Sequence, residues 1–203
     1  SLSCGPDGIP ARLLKECSEH IAPSLCSPLN FSLSRGKLPY EWKTADITPL
    51  QKKDSKEPAE NYWPISLLTI ISKILERSVA THFCDHVKHL ISLSQHLLLK
   101  NRSCVAQLLS VLHAISEALD KNIQSDLTYL DFAKAFDSVD HSILLAKLKA
   151  YGVSGPLLAW FTDYLTGRAQ RVVVEGAASK WAPVTSDVLQ DRKSTRLNSS
   201  HIT

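Results

Sequence analysis

Residues 127–139 read Leu127-Thr128-Tyr129-Leu130-Asp131-Phe132-Ala133-Lys134-Ala135-Phe136-Asp137-Ser138-Val139, and the fold turns on how this stretch is taken. Leu127, Thr128, Tyr129 and Leu130 suit a strand and run into Asp131. That predicts a short buried strand with a carboxylate at its exit, a good place to hold a metal ion. Asp137, Asp140 and His141 follow, but Ala133, Ala135 and Phe136 between them are small or apolar, so a tight turn close to a core is expected. The residues alone also allow a plainer arrangement, a strand end with a solvated Asp and with Ser138 or Asp140 capping the next helix.

The 203-residue chain is 44% hydrophobic, enough for a sizeable core and inconsistent with bulk disorder. It has no Met and no charged-then-apolar leader, and reads as an internal piece of a longer frame without a signal peptide. Nowhere does an apolar run reach the roughly 18 residues that cross a bilayer, so a soluble protein is expected. Five cysteines, an odd number without a C-x-x-C pair, suit a reduced intracellular protein. The formal charge is +3, but Arg192, Lys193 and Arg196 against Asp191 supply most of it, so charge argues little for nucleic acid in the body of the chain.

Pro10 opens a helix with Leu13, Leu14 and Cys17 on one face, and a second, with Leu25, Leu29 and Leu33, follows Pro23 and stops at Gly36, making a helical hairpin. Residues 42–50 suit a strand ended by Pro49, before a mixed-charge loop with Lys52, Lys53 and Lys56. From 66 to 82 the spacing of Leu67, Ile71, Ile74, Leu75 and Val79 predicts a helix. Its continuation carries His82, His86 and His89, which could share a metal, but no local carboxylate or second thiol completes a zinc set, so a polar face is expected. Ser103 caps a helix bearing Val105, Leu108, Leu109, Leu112, Ile115 and Leu119. After Asp131, Asp140 caps a helix that Gly152 ends, and Pro156 starts one with Trp160, Phe161 and Tyr164 that Gly167 stops. Residues 171–174, a turn at Gly176 and residues 181–184 read as a β-hairpin. The order suits an α+β fold.

Residues 129–141, Tyr-Leu-Asp-Phe-Ala-Lys-Ala-Phe-Asp-Ser-Val-Asp-His, resemble the first catalytic motif of the reverse transcriptases of non-LTR, LINE-type retrotransposons, nearest the jockey and chicken-repeat groups. The resemblance implies that Asp131 is the catalytic, metal-binding aspartate and that Phe136 screens the sugar of the incoming nucleotide. Gly-Pro-Asp-Gly-Ile-Pro at 5–10 resembles the segment that precedes the fingers in these polymerases. Lys52 and Lys53 match a fingers loop near the triphosphate, where lysine acts as a point charge toward phosphate. Asn61-Tyr62-Trp63-Pro64-Ile65-Ser66 is similar to a motif in which the family places a phosphate-binding Arg where Trp63 stands. An indole has one neutral donor and no charge, so nucleotide binding should suffer. Gln95-His96-Leu97-Leu98 resembles a segment in which the family writes Gly-Phe after Gln-His. Thr185-Ser186-Asp187-Val188-Leu189-Gln190 is similar to Ser-Gly-Val-Pro-Gln-Gly, which lies along template and nucleotide; Ser186, Val188 and Gln190 are kept, and Asp187 would repel a phosphate backbone.

What the resemblance implies is a right-hand polymerase fragment, α+β, helix-rich with a small antiparallel sheet. Residues 1–120 would be fingers and leading helices, with the helix after Ser103 under the palm sheet, and residues 121–190 part of the palm. It also implies an RNA template, a DNA primer, dNTP and magnesium (Mg2+), two-metal nucleotidyl transfer, and a nuclear and cytoplasmic setting. The family draws further aspartates from an aromatic-x-Asp-Asp hairpin, and no Asp-Asp pair occurs in the 203 residues, so an inactive polymerase piece is expected. The alternative is a non-catalytic nucleic-acid-binding module using Lys52, Lys53 and Arg102, and beyond it a purely helical scaffold. Residues 191–203 lack a hydrophobic period and resemble a translated short-read sequencing adapter, a foreign tail.

Overall fold

The computed structural model describes residues 5–51, 55, 58, 61–96, 102–132, 135, 136, 138–184 and 188. Lys52, Lys53, Leu97, Leu98, Asp137, Ser186, Asp187, Leu189, Gln190 and the tail 191–203 lie outside the described residues.

The chain begins with α1 (Ala11–Glu16) and α2 (Ser18–Arg35), joined through the single residue Cys17. Hydrogen bonds cross that junction, Cys17 N to Leu13 O at 3.0 Å and Ile21 N to Cys17 O at 3.1 Å. The pair is therefore a kinked run rather than the expected hairpin, and α2 starts five residues before Pro23 and carries both Pro23 and Pro28 inside it. Gly36 ends α2 in the left-handed region, φ 62°, with Lys37 N bonding back to Ser32 O, the six-to-one closure that favours glycine. It also seats α2 on a neighbour, because a Cβ there would come within 2.6 Å of Ala159 Cβ.

A 3₁₀ turn at Tyr40–Lys43 leads into β1 (Thr44–Gln51), which pairs antiparallel with β2 (Tyr62–Leu67) and parallel with β3 (Arg168–Val174). Two short strands, β4 (Ala177–Ala178) and β5 (Ala182–Val184), add antiparallel to β3 across the turn at Glu175 and Gly176. The sheet is thus mixed, not the small antiparallel sheet expected, and it draws strands from both sides of residue 120. Its parallel step joins Asp46 to Arg171 in register, and the guanidinium donates to the Asp46 carboxylate at 2.7 Å while lying over the Trp181 ring. Pro49 does not end β1, because β3 pairs only as far as Ile47; beyond it β1 has one neighbour, and a missing N–H on the open side breaks no ladder bond.

Four more helices follow: α3 (Ile70–Val87), capped by the Thr69 hydroxyl; α4 (Cys104–Asp120), capped by Ser103; α5 (His141–Ala150), capped by Asp140; and α6 (Gly155–Leu165). The core gathers where α2, α3 and α6 meet. Leu38, Leu75, Val79 and Trp160 are buried together, with Leu29, Leu33, Trp42, Phe161 and Tyr164 against them. Apart from the core, Asp163 of α6 clasps the turn after α2, accepting from Lys43 Nζ at 2.8 Å, Leu38 N at 2.8 Å and Lys37 Nζ at 3.0 Å. No described helix is long and apolar enough to cross a membrane, and Cys17, Cys26, Cys84 and Cys104 carry free thiols.

The stretch read as a strand, 127–130, is not one. Residues 123–132 have no regular structure, and Tyr129 and Leu130 are 81% and 88% exposed. Adjacent residues of an extended chain point to opposite faces, so neither face of this segment is covered. Among the described residues no strand pairs with it, and β-branched and aromatic character stabilises a strand only through cross-strand neighbours.

Candidate functional site

The β1–β2 hairpin positions the residues that the sequence motifs single out. Its ladder runs from Asp46 opposite Leu67 to Gln51 opposite Tyr62, with Leu50 facing Trp63 and Pro49 facing Pro64. The connecting loop therefore leaves directly from Gln51 toward position 52 and returns at Asn61, whose side-chain amide donates to Ser55 O at 3.0 Å while its N–H reaches Pro58 O at 3.0 Å. That stitch was not anticipated; an Asn closing a charged loop onto a backbone carbonyl is the only signal of it in the sequence. Trp63 sits one residue into β2 with 57% of its surface exposed, so this indole faces outward beside the loop rather than filling the core.

Asp131 lies in the irregular segment 123–132 and is exposed, not at the mouth of a buried strand. Phe136 is exposed, and its carbonyl accepts from Val139 N at 3.4 Å and from Val188 N at 3.3 Å. The second bond joins Phe136 to Val188, 52 residues further along the chain. Asp140 belongs to the helix cap: its carboxylate accepts from Ser142 N, Ser142 Oγ and Ile143 N at 2.7, 2.6 and 3.1 Å. The Ser142 hydroxyl first, then the Ile143 and Ser142 amides, hold this carboxyl below the usual range.

A pair of magnesium ions takes several hard oxygen ligands. Among the described residues no group of three Asp, Glu, His or Cys side chains comes together that could hold a metal, and Asp131 alone does not supply such a set. His82 and His86 lie exposed on α3, while His89 falls in the turn after it, so the three do not share one helix face. His82 donates from Nδ1 to Ser78 O at 2.8 Å, His86 from Nε2 to Tyr151 O at 3.3 Å, and the His86 and His89 rings meet edge to face at 6.4 Å. Arg102 is committed to the chain itself: its Nη1 donates to the carbonyls of Leu93 and Gln95, both at 2.6 Å, and to Ser92 O at 3.3 Å. It ties the α3–α4 connection, a role its sequence position beside the Ser103 cap did not reveal.

A model of the reverse transcriptase (RNA-dependent DNA polymerase) family matches residues 50–189, and the chain belongs to that family. Its relatives are proteins of non-LTR retrotransposons. It is 33% identical over 156 residues to the probable RNA-directed DNA polymerase from transposon X-element of Drosophila melanogaster, an alignment covering 75% of this chain and 17% of that protein. It is 28% identical to the RNA-directed DNA polymerase from mobile element jockey of the same fly over 190 residues, 92% of this chain and 20% of the relative. Against the transposon TX1 149 kDa protein of Xenopus laevis the identity is 24% over 84% of the chain and 13% of that protein. The chain thus spans between about an eighth and a fifth of these relatives' length.

Proposed function

We propose that this chain is a piece of a retrotransposon RNA-directed DNA polymerase, with fingers and leading helices in residues 1–120, part of the palm in 121–190 and a foreign tail in 191–203, and that by itself it does not extend a primer. The observation that carries this reading is the register of the β1–β2 hairpin. It pairs Gln51 with Tyr62 and Leu50 with Trp63, so position 63 stands at the end of β1 that Lys52 and Lys53 follow in the sequence. In the family resemblance this end faces the incoming nucleotide's phosphates. With lysines there, an Arg at 63 would add a forked cation; the indole present adds one neutral donor.

Template RNA, primer DNA and dNTP are the partners, and magnesium the cofactor that supplies Lewis-acid chemistry to the family. Asp131 would give it one carboxylate, Phe136 would stand at the nucleotide's sugar and Gln190 along the template. The expected inactivity rests on the absence of an Asp-Asp pair from the 203 residues and on Trp63. The purified 203-residue chain, given an RNA template, a DNA primer, dNTPs and magnesium, is expected to add no nucleotide. Extension that disappears in Asp131→Ala would overturn this.

The alternative, a nucleic-acid-binding module without chemistry, is weakened by Arg102, whose Nη1 already serves three carbonyls. It makes a separate prediction. A module with several phosphate contacts gives an affinity for labelled RNA that falls with log salt at a slope of about −0.7 per contact. We expect a slope no steeper than about −1.4, one contact for each of Lys52 and Lys53; a steeper slope, about −3 or beyond, would favour the module.

A further inference from the structure

The Gly-Pro-Asp-Gly turn at the start of the described chain touches the hairpin's far end. Gly8 N bonds to Gly5 O at 3.0 Å and Ile9 N to the Asp7 carboxylate at 3.2 Å, which closes the turn. Two glycines hold it for different reasons. Gly8 has φ +67° with open space around it, so its need is conformational. Gly5 has no such φ, but a Cβ on it would lie 2.4 Å from Leu68 O, 2.8 Å from Leu68 C and 2.9 Å from Thr69 Cα. All three are backbone atoms, which cannot swing aside as a side-chain tip can.

Leu68 and Thr69 are the two residues between β2 and α3, and both are buried, at 4% and 3% exposure. Thr69 is itself fixed, since its hydroxyl accepts from Ser72 N and its carbonyl from Lys73 N in the first turn of α3. The turn thus rests on a junction that is rigid on its α3 side and continues into β2 on the other. Trp63 lies five residues back along that strand.

We propose that the Gly5–Gly8 turn is a brace that sets where β2 leaves α3, making Gly5 a positioning residue for position 63. Its bearing on nucleotide handling rests on the function proposed above; the brace itself does not. Backbone contact at Gly5 leaves no room for any side chain, so the effect of a substitution is local and directional. Gly5→Ala must lift the turn off Leu68 and Thr69, whereas Gly8→Asn keeps it seated because Asn tolerates the left-handed region.

Amide hydrogen exchange on the full chain tests this, read in peptides covering residues 62–72 and, as an internal reference, residues 157–165 of α6. Gly5→Ala is expected to accelerate exchange over 62–72 about tenfold or more, the scale of an overpacked close contact, with 157–165 unchanged. Gly8→Asn should leave both peptides as they are. A chain lacking residues 1–9 removes the brace without creating a clash, and should show the same loss at 62–72 even if Gly5→Ala fails to fold. Unchanged exchange at 62–72 in the shortened chain would overturn the proposal. The readout involves no nucleotide, so a chain that never binds one leaves the brace standing.

Discussion

Replacing Trp160 by Ala is expected to cost about 3–5 kcal/mol of folding free energy, the largest single loss in the molecule. Trp160 is 1% exposed, stacks on Tyr164 with ring centres 5.3 Å apart, meets Phe161 edge on at 5.4 Å and donates its indole N–H to Ser32 Oγ at 3.3 Å. It is the side chain on which α2, α3 and α6 converge. Removing it opens a cavity that rigid helices cannot close and leaves Ser32 without its donor. Against a total stability of about 5–15 kcal/mol, such a loss brings the chain close to unfolding, and the melting temperature should fall by roughly 6–20 °C. Urea titration followed by circular dichroism measures it. Trp160→Phe, which keeps a ring but not the N–H, should lose less; a loss below about 1 kcal/mol for the Ala variant would mean that the core lies elsewhere.

The second large effect belongs to Asp163. Its carboxylate accepts from Lys43 Nζ and Leu38 N at 2.8 Å and from Lys37 Nζ at 3.0 Å, and both it and Lys43 keep only 11% of their side-chain surface. Asp163→Asn keeps the shape but leaves the Lys43 ammonium buried without a counter-charge, a loss of about 2–4 kcal/mol. Lys37, mostly exposed, should matter little, about 0.5 kcal/mol in Lys37→Ala.

The same carboxyl gives a pH dependence. Burial works to raise its pKa, but the Lys43 hydrogen bond, the Leu38 amide and Lys37 outweigh that and hold it below the usual carboxylate range. A pKa lower in the folded than in the unfolded chain means that the contribution is fully present above the unfolded value, about 3.9 for Asp, and is lost as pH falls through the folded one. Between pH 5 and pH 2.5 the native chain should lose more stability than Asp163→Asn. Equal losses would show that the clasp is not electrostatic.

Local chemistry made much of this fold legible. Ser103 and Asp140 cap α4 and α5 as their sequence neighbours predict, and Gly36 and Gly152 stop helices in left-handed conformations, whereas α6 ends at an extended Thr166, one residue before Gly167. Each of these depends on atoms within a few residues. The parallel pairing of β1 with β3 depends instead on Asp46 meeting Arg171 across 125 residues, which no local pattern encodes, and it is also why Pro49 could stay within its strand. Residues 127–130 failed in the opposite sense. Their side chains suit a strand, but a strand forms only against a neighbour, and among the described residues they have none.

The candidate site divides along the same line. Trp63 stood out because Tyr62 and Pro64-Ile65-Ser66 frame it, and its place opposite Leu50 near the end of the hairpin follows from the register. Gly5 did not stand out from Gly8, since one is needed for a contact 63 residues away and the other for its own φ. Arg102 looked like a free cation and turned out to be a clamp on carbonyls, which depends on the return of a loop.

The most direct test is at position 63. Equilibrium dialysis of a labelled dNTP with magnesium, against the native chain and Trp63→Arg, asks whether this hairpin end is a nucleotide's phosphate site disabled by one side chain. The native chain should show no saturable binding up to about 1 mM, and Trp63→Arg should bind at least about tenfold more tightly, as a charge-assisted fork on phosphate would provide. Equal affinities for the two chains, whether measurable or absent, would contradict it.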